Sequence, residues 1–155
     1  MKRIVTVIAC VVFFSVACRS TPPPSPVQTT FLIEAPFDRT WSAVTEAAAE
    51  TSLPISAIEK ESGLMTTGFV TLFRGRGMER ELWRVAQRRR VLLGLWDQGR
   101  FTMNMFVKSI DDERSSLTVN VHLEGYEWNV SKSWYSLESN GSIEGDFVRL
   151  VKSKL

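Results

Sequence analysis

Cysteine and histidine are scarce in this chain of 155 residues, which holds two cysteines and one histidine. Metal centres and nucleophilic catalysis depend largely on these residue types, because thiolates and imidazoles are common ligands, nucleophiles and proton carriers at neutral pH. Cys10 lies inside an apolar run near the start of the chain, and Cys18 follows that run. His122 falls on the polar side of a predicted strand, where exposure to solvent is expected. The composition therefore argues against an enzyme, and we predict no metal or other cofactor.

Motifs that would support catalysis or ion binding are also missing. The acidic turn at 111–113 lacks the ligand spacing of an EF-hand, and RGRG at 74–77 lacks the Lys-Ser/Thr that completes a phosphate-binding loop. No G-x-S-x-G motif accompanies the histidine. A hydrolase stays open only if His122 is buried beside a carboxylate.

The first 17 residues have the layout of a secretory signal peptide. A basic start at 2–3 is followed by an apolar run over 4–14, which is too short to span a bilayer as a helix. The small residues at 15–17, directly before Cys18, resemble the lipobox of bacterial lipoproteins. That resemblance implies cleavage before Cys18 and attachment of lipid, palmitate included, to its thiol. An ordinary signal peptide followed by a chance cysteine is the alternative.

Residues 18–30 read as a tether between the anchor and a folded domain. The stretch RSTPPPSPVQTT is rich in Pro, Ser and Thr and has no apolar period. Proline fixes φ and removes a backbone donor, so we expect an extended, semi-rigid spacer. A proline-rich ligand for a binding groove is the alternative. By analogy with bacterial lipoproteins, Arg19 after Cys18 favours the outer membrane, with the domain facing the periplasm.

The charge of the chain is balanced once the leader is set aside. The chain holds 19 Lys and Arg against 17 Asp and Glu, and the leader takes two basic residues and no acid, which leaves 17 of each. This balance does not predict nucleic-acid binding. Positions 74–100 nevertheless hold eight arginines. A basic helix there would place Arg84, Arg88, Arg89 and Arg90 against anionic headgroups or a protein partner, and a solvated edge is the alternative.

The pattern over 31–155 predicts one domain of the α+β class. A short strand at 31–33 precedes a helix that Asp38 would cap and that would bury Trp41. Strands are predicted at 55–59 and 64–72. The clearest signal is a hairpin in which two period-two runs, at 101–107 and 117–123, flank a polar turn.

The last segment predicts a helix that closes the domain. Ile143, Phe147, Leu150 and Val151 fall on one helical stripe, with acids near its start and lysines at its end. These elements indicate a curved antiparallel sheet packed on a long C-terminal helix, with a shorter helix after the first strand.

The stretch IEAPFDRTWSAVTEAAAETSLPISAIEKESGLMTTGFV resembles the start of the domains in outer-membrane lipoproteins of the BamC/NlpB type. The closing SNGSIEGDFVRLVKSKL is similar to their last helix. The resemblance implies a helix-grip domain and a non-enzymatic interaction module, linked to envelope or outer-membrane protein assembly. It also implies a protein partner in the envelope in addition to the membrane.

Two further features bear on binding. Trp128 and Trp134 belong to a segment rich in Trp and Tyr, which suits an interface as well as a closing layer of the core. Helix-grip folds often leave a cavity between sheet and helix, and Phe101, Met103 and Met105 are the residues predicted to line one. A carrier for a small apolar ligand is therefore the alternative function.

Overall fold

The computed structural model describes residues 26–75, 79–87 and 95–155. The predicted signal peptide, Cys18, most of the tether and Arg88, Arg89 and Arg90 lie outside these residues. The described elements are β1 (Thr30–Ile33), α1 (Phe37–Glu50), β2 (Ile55–Glu59), β3 (Leu64–Thr67), β4 (Val70–Arg74), α2 (Glu79–Val85), β5 (Trp96–Ser109), β6 (Ser115–Glu127), β7 (Ser133–Leu137) and α3 (Ser142–Lys152).

All strand pairs of the sheet are antiparallel, and the five strands of its main path run in the order β1-β6-β5-β3-β2. β4 also pairs with β5, and β7 also pairs with β6, so β5 and β6 form the centre of a seven-stranded open sheet. The predicted α+β class and the antiparallel sheet are confirmed.

The predicted hairpin is the longest part of this sheet. β5 and β6 pair from Trp96 opposite Glu127 to Ser109 opposite Ser115. Asp111 holds the turn, because its Oδ1 accepts hydrogen bonds from the backbone N–H groups of Glu113 at 3.0 Å and Arg114 at 2.7 Å. The guanidinium of Arg114 donates to the other carboxylate oxygen and, as the largest cause, lowers the pKa of Asp111. The role of Asp111 in the acidic turn is therefore structural, since it accepts the hydrogen bonds that hold the turn together.

The core lies between one face of the sheet and the three described helices. α1 packs on β5, β6 and α3, while α2 packs on β4, β5 and α3, so these helices share one face. The largest fully buried side chains there include Met103, Met105, Leu117 and Val119. Lys154 joins the two long helices through ion pairs with Glu46 at 3.3 Å and with Glu50.

Several predicted boundaries are wrong. α1 is the longer helix, with 14 residues against 11 in α3, because the run AVTEAAAE has high helix propensity. Pro36, not Asp38, is the N-cap, and Asp38 lies in the first turn. The predicted strand at 64–72 divides at Gly68, whose N–H donates to the carbonyl of Pro54 at 2.6 Å instead of continuing the sheet ladder.

The turn between β2 and β3 depends on glycine. Gly63 has a φ of 71°, and a Cβ there would lie 2.0 Å from the carbonyl oxygen of Val107. Its own carbonyl accepts a hydrogen bond from the Val107 N–H at 2.9 Å. This close approach joins the β2–β3 turn to β5.

Trp41 fixes α1 against the core and provides a test of the packing. It is 6% exposed and stacks with Phe37 at a ring-centroid distance of 6.2 Å. We expect Trp41→Ala to lower the free energy of unfolding by about 3–5 kcal/mol, because a large aromatic side chain leaves a cavity behind. Ile58→Ala, at an exposed position of β2, is the control and should cost below about 1 kcal/mol. Urea unfolding of both variants measures the difference, and equal losses would contradict this packing.

Candidate functional site

The face of the sheet opposite the helices carries polar and aromatic side chains, and we call it the open face. Alternation along β5 and β6 places the apolar residues in the core and leaves their neighbours half-buried or exposed on the other side. The open face is formed by Arg100, Thr102, Asn104, Phe106 and Lys108 of β5, by Ser116, Thr118, Asn120, His122, Glu124 and Tyr126 of β6, and by Trp134 of β7.

One arginine on this face lies between two aromatic rings. The guanidinium carbon of Arg100 is 3.8 Å from the ring centroid of Phe69 and 3.8 Å from that of Trp134. Its Nε donates a hydrogen bond of 2.6 Å to Oε2 of Glu124. Stacking on ring faces and a charge-assisted hydrogen bond both favour a planar guanidinium. We call Phe69, Arg100, Glu124 and Trp134 the arginine stack.

The stack is assembled by the sheet register. Arg100 lies directly opposite Glu124 on β6, so the ion pair is a cross-strand pair. Trp134 comes from β7, opposite Tyr126, and the two rings are 5.4 Å apart. Phe69 lies in the break between β3 and β4 and stays 51% exposed. Residues from four separate segments therefore meet at one end of the open face.

Arg100 keeps hydrogen-bonding capacity in this arrangement. Its side chain is 29% exposed, and within the described residues its one hydrogen bond comes from Nε. No side-chain donor of the described residues is buried without a partner, so water can satisfy the Nη groups of Arg100, and an acceptor on another molecule could replace that water. A fixed guanidinium of this kind suits a partner that presents carboxylate or carbonyl oxygens.

His122 lies on the open face, as its strand position predicted. Its side chain is 53% exposed, and its Nε2 is 3.3 Å from Oε1 of Glu124. The carboxylate of Glu124 thus contacts both His122 and Arg100. The histidine is beside a carboxylate but not buried, whereas the hydrolase hypothesis required both.

Three of the predicted surface residues, Trp134, Trp128 and Arg84, lie within the described part of the chain, each in a different segment. Trp134 belongs to the arginine stack, whereas Trp128 lies just beyond β6, where its N–H donates to the carbonyl of Leu95 at 3.1 Å. Arg84 lies on α2, exposed and ion-paired with Glu81 at 2.8 Å. Cys18, Arg88, Arg89 and Arg90 are outside the described residues, so the basic surface stays a prediction.

Sequence reasoning missed Phe69, Arg100 and Glu124. The alternation of β5 and β6 was sufficient to place Arg100 and Glu124 on the polar face. The pairing of those two residues depends on the hairpin register, and the position of Phe69 beside them depends on the break in the strand at Gly68. Neither feature is visible in the periodicity.

A buried carboxylate supports the turn that leads into β7. Glu127 is 3% exposed, and its oxygens accept hydrogen bonds from the N–H groups of Asn129, Val130 and Ser131 at 2.7, 2.9 and 2.5 Å. The Ser131 hydroxyl donates a further bond of 2.6 Å. These donors, the hydroxyl first, lower the pKa of Glu127 to about 2. The ionised carboxylate thus sets the path of the strand that carries Trp134.

A cavity of about 440 Å³ lies on the other side of the sheet, between β5 and α3. We call it the α3 cavity, and it is lined by Thr51, Leu53, Val70, Phe101, Met103, Ile143, Asp146, Phe147 and Leu150. Phe101 and Met103 were predicted to line such a cavity. Met105 was predicted with them but does not line it, because it lies fully buried further along β5.

No family model matches the chain, and no curated protein sequence matches it significantly. Among the described residues, no helix is long and apolar enough to cross a membrane, and no three His, Cys, Asp or Glu side chains group as a metal site.

The acid dependence of stability tests the role of Glu127. The pKa of Glu127 is about 2 in the folded protein, below its ordinary value of 4.5. The ionised carboxylate therefore stabilises the fold fully above pH 4.5, and this stabilisation is lost as the pH falls toward 2. We expect Glu127→Gln to lower the melting temperature by several degrees at neutral pH, and the difference from wild type to shrink on acidification. Thermal denaturation across that pH range measures it. Glu138→Gln, at an exposed position after β7, should show no such trend.

Proposed function

We propose that the protein is a non-enzymatic interaction module, anchored to the outer membrane by lipid on Cys18, with its domain in the periplasm. The tether would give the domain reach from the membrane surface to envelope proteins. A role in envelope or outer-membrane protein assembly is the most specific form of this proposal, and the resemblance to BamC/NlpB-type lipoproteins supports it. We propose no nucleic-acid partner.

We propose further that the fold is of the helix-grip type. The packing of α3 against α1 and β6 supports this, because a terminal helix lying on a sheet of antiparallel strands is the central feature of that arrangement. The order in which one helix follows the first strand and another ends the chain fits as well.

The arginine stack is the observation that carries the interaction proposal. Trp, Tyr and Arg are the residue types that contribute most to binding at protein interfaces. Here two rings hold Arg100 in place, so little side-chain freedom would be lost when a partner binds. The stack also lies on a face that the described helices leave uncovered, within reach of another protein.

Adjacent aromatic residues on β7 provide a matched test of this surface. Trp134 lies on the open face, whereas Tyr135 lies on the other face and contacts Trp96 at 6.1 Å. We expect Trp134→Ala to weaken binding of the envelope partner by at least about 30-fold, the effect of losing about 2 kcal/mol. Tyr135→Ala should leave that affinity nearly unchanged.

The partner is first identified with a photo-crosslinking residue at position 102, on the open face beside the arginine stack and outside it, and its affinity for each purified variant is then measured. The melting temperature of each variant separates loss of binding from loss of folding. If Trp134→Ala binds the partner as tightly as wild type does, the open face is not the binding surface.

The anchor is tested by Cys18→Ser. Without the thiol no acyl chain is attached, so we expect uncut precursor or protein in the soluble periplasmic fraction, detected by fractionation and electrophoretic mobility. Lys108→Ser, an exposed change on the open face, is the control and should stay in the membrane fraction. If Cys18→Ser partitions and migrates as wild type does, the lipoprotein proposal is wrong.

A second candidate function is binding of a small apolar ligand. The α3 cavity favours it, because a volume of about 440 Å³ falls in the range of about 300–1,000 Å³ that small-molecule sites occupy. Native mass spectra of the purified protein would test it by showing a retained apolar compound.

A further inference from the structure

We propose that the α3 cavity holds the hydrocarbon chain of a single-chain amphiphile, with the polar end of that molecule in water at the cavity mouth. The inference rests on the second candidate function and names its ligand class. It is carried by three features of the cavity: an apolar buried floor, a size that fits one chain, and charged groups confined to the rim.

The floor of the cavity offers no polar recognition. Phe101, Met103 and Phe147 form it, with exposures of 7%, 1% and 5%. The one hydroxyl of the lining belongs to Thr51, and it already donates to the carbonyl of Ala47 at 2.8 Å. A polar group placed on this floor would lose its hydrogen bonds to water without replacement. The buried part of a ligand must therefore be hydrocarbon.

The dimensions of the cavity favour one chain. The volume of about 440 Å³ lies near the small end of the range of about 300–1,000 Å³ that small-molecule sites occupy. Along α3 the apolar wall runs from Ile143 to Leu150, a rise of about 10 Å at about 1.5 Å per residue. A two-chain phospholipid exceeds this volume. Met103 on the floor has three rotatable bonds, so it can adapt to a flexible chain.

Charge lies at the mouth and not in the interior. The half-buried residues Leu53, Val70, Ile143 and Leu150 form the upper wall. Asp146 is the one charged residue of the lining, and its Oδ1 accepts a hydrogen bond of 2.6 Å from Arg149. Both side chains are mostly exposed, at 67% and 77%. A head group at the mouth would meet a carboxylate and a guanidinium in water.

One acyl chain of this kind could come from a free fatty acid or from a lysophospholipid. The two sources differ in the head group that meets the mouth. A fatty-acid carboxylate would pair with Arg149 and be repelled by Asp146. A zwitterionic head group would meet both charges and depend on neither alone.

The experiment uses the full chain carrying Cys18→Ser, so that its own lipid does not compete, and three probes measured by titration calorimetry. The probes are myristate, myristoyl lysophosphatidylcholine and naphthalene, each below its micelle concentration or solubility limit. We expect at least one of the two acyl probes to bind at one molecule per protein. Ile143→Trp fills the cavity and should weaken that binding by at least about tenfold, because the acyl chain would lose the burial of several methylene groups.

The matched control is Ile58→Trp, the same substitution at an exposed position of β2 outside the cavity, and it should bind as the unsubstituted chain does. If Ile143→Trp does not fold, Val70→Trp fills the mouth from β4 and replaces it. Arg149→Gln distinguishes the two sources: it should weaken the binding of myristate and leave the binding of lysophosphatidylcholine unchanged. An acyl probe whose affinity is the same in the folded cavity-filling variant would overturn the site.

The naphthalene arm separates this inference from the carrier function on which it rests. If naphthalene binds in an Ile143→Trp-sensitive way and neither acyl probe binds, the ligand is a compact apolar molecule: the acyl-chain inference is wrong and the carrier function stands. If none of the three probes binds, both are overturned.

Discussion

The long pairing of β5 with β6 is the constraint on which the rest of the structure depends. Its paired residues run from Trp96 opposite Glu127 to Ser109 opposite Ser115, and every other strand except β2 joins one of these two. Because the side-chain period of a strand is two, one choice of register sends Phe101, Met103 and Met105 into the core and Arg100, Thr102 and Asn104 to the open face. A slip by one residue would exchange the two sets, so burial of the apolar set fixes the chemistry of the opposite face.

This constraint explains why the sequence was informative about the fold and less so about the site. The period-two runs at 101–107 and 117–123 and the apolar stripe of α3 are local patterns, and both were found where they were predicted. The division of the predicted strand at 64–72 was not visible, because it depends on a hydrogen bond from Gly68 to Pro54, a contact across β2 and β3. The greater length of α1 follows from the helix propensity of its alanines, which the spacing of its buried residues does not report.

The arginine stack shows the same limit of prediction from local sequence patterns. The alternation of side chains along β5 places Arg100 on one face of the sheet. It does not predict that an aromatic residue 31 positions earlier and another 34 positions later lie on either side of the guanidinium. Those contacts follow from strand order and register, which are properties of the whole sheet. Trp134 was singled out from aromatic composition alone, and composition was equally consistent with a core residue. The structure places it half-buried on the open face, against Arg100 and Tyr126.

The two candidate sites share their backbone although they lie on opposite faces of the sheet. Phe69 stacks on Arg100 while its neighbour Val70 lines the α3 cavity, and Phe101, which follows Arg100, lies on the cavity floor. Val70 also pairs with Phe101 across β4 and β5, so the consecutive pairs 69–70 and 100–101 meet in one place. A ligand that displaced Val70 or Phe101 would move the backbone to which Phe69 and Arg100 are attached. If such a displacement changed binding at the stack, each ligand would alter the affinity for the other by the same factor, because coupling between two binding sites is reciprocal. The interaction module and the ligand carrier proposed for this domain are therefore compatible, because the alternation of β5 sends Arg100 to the open face and Phe101 and Met103 to the cavity.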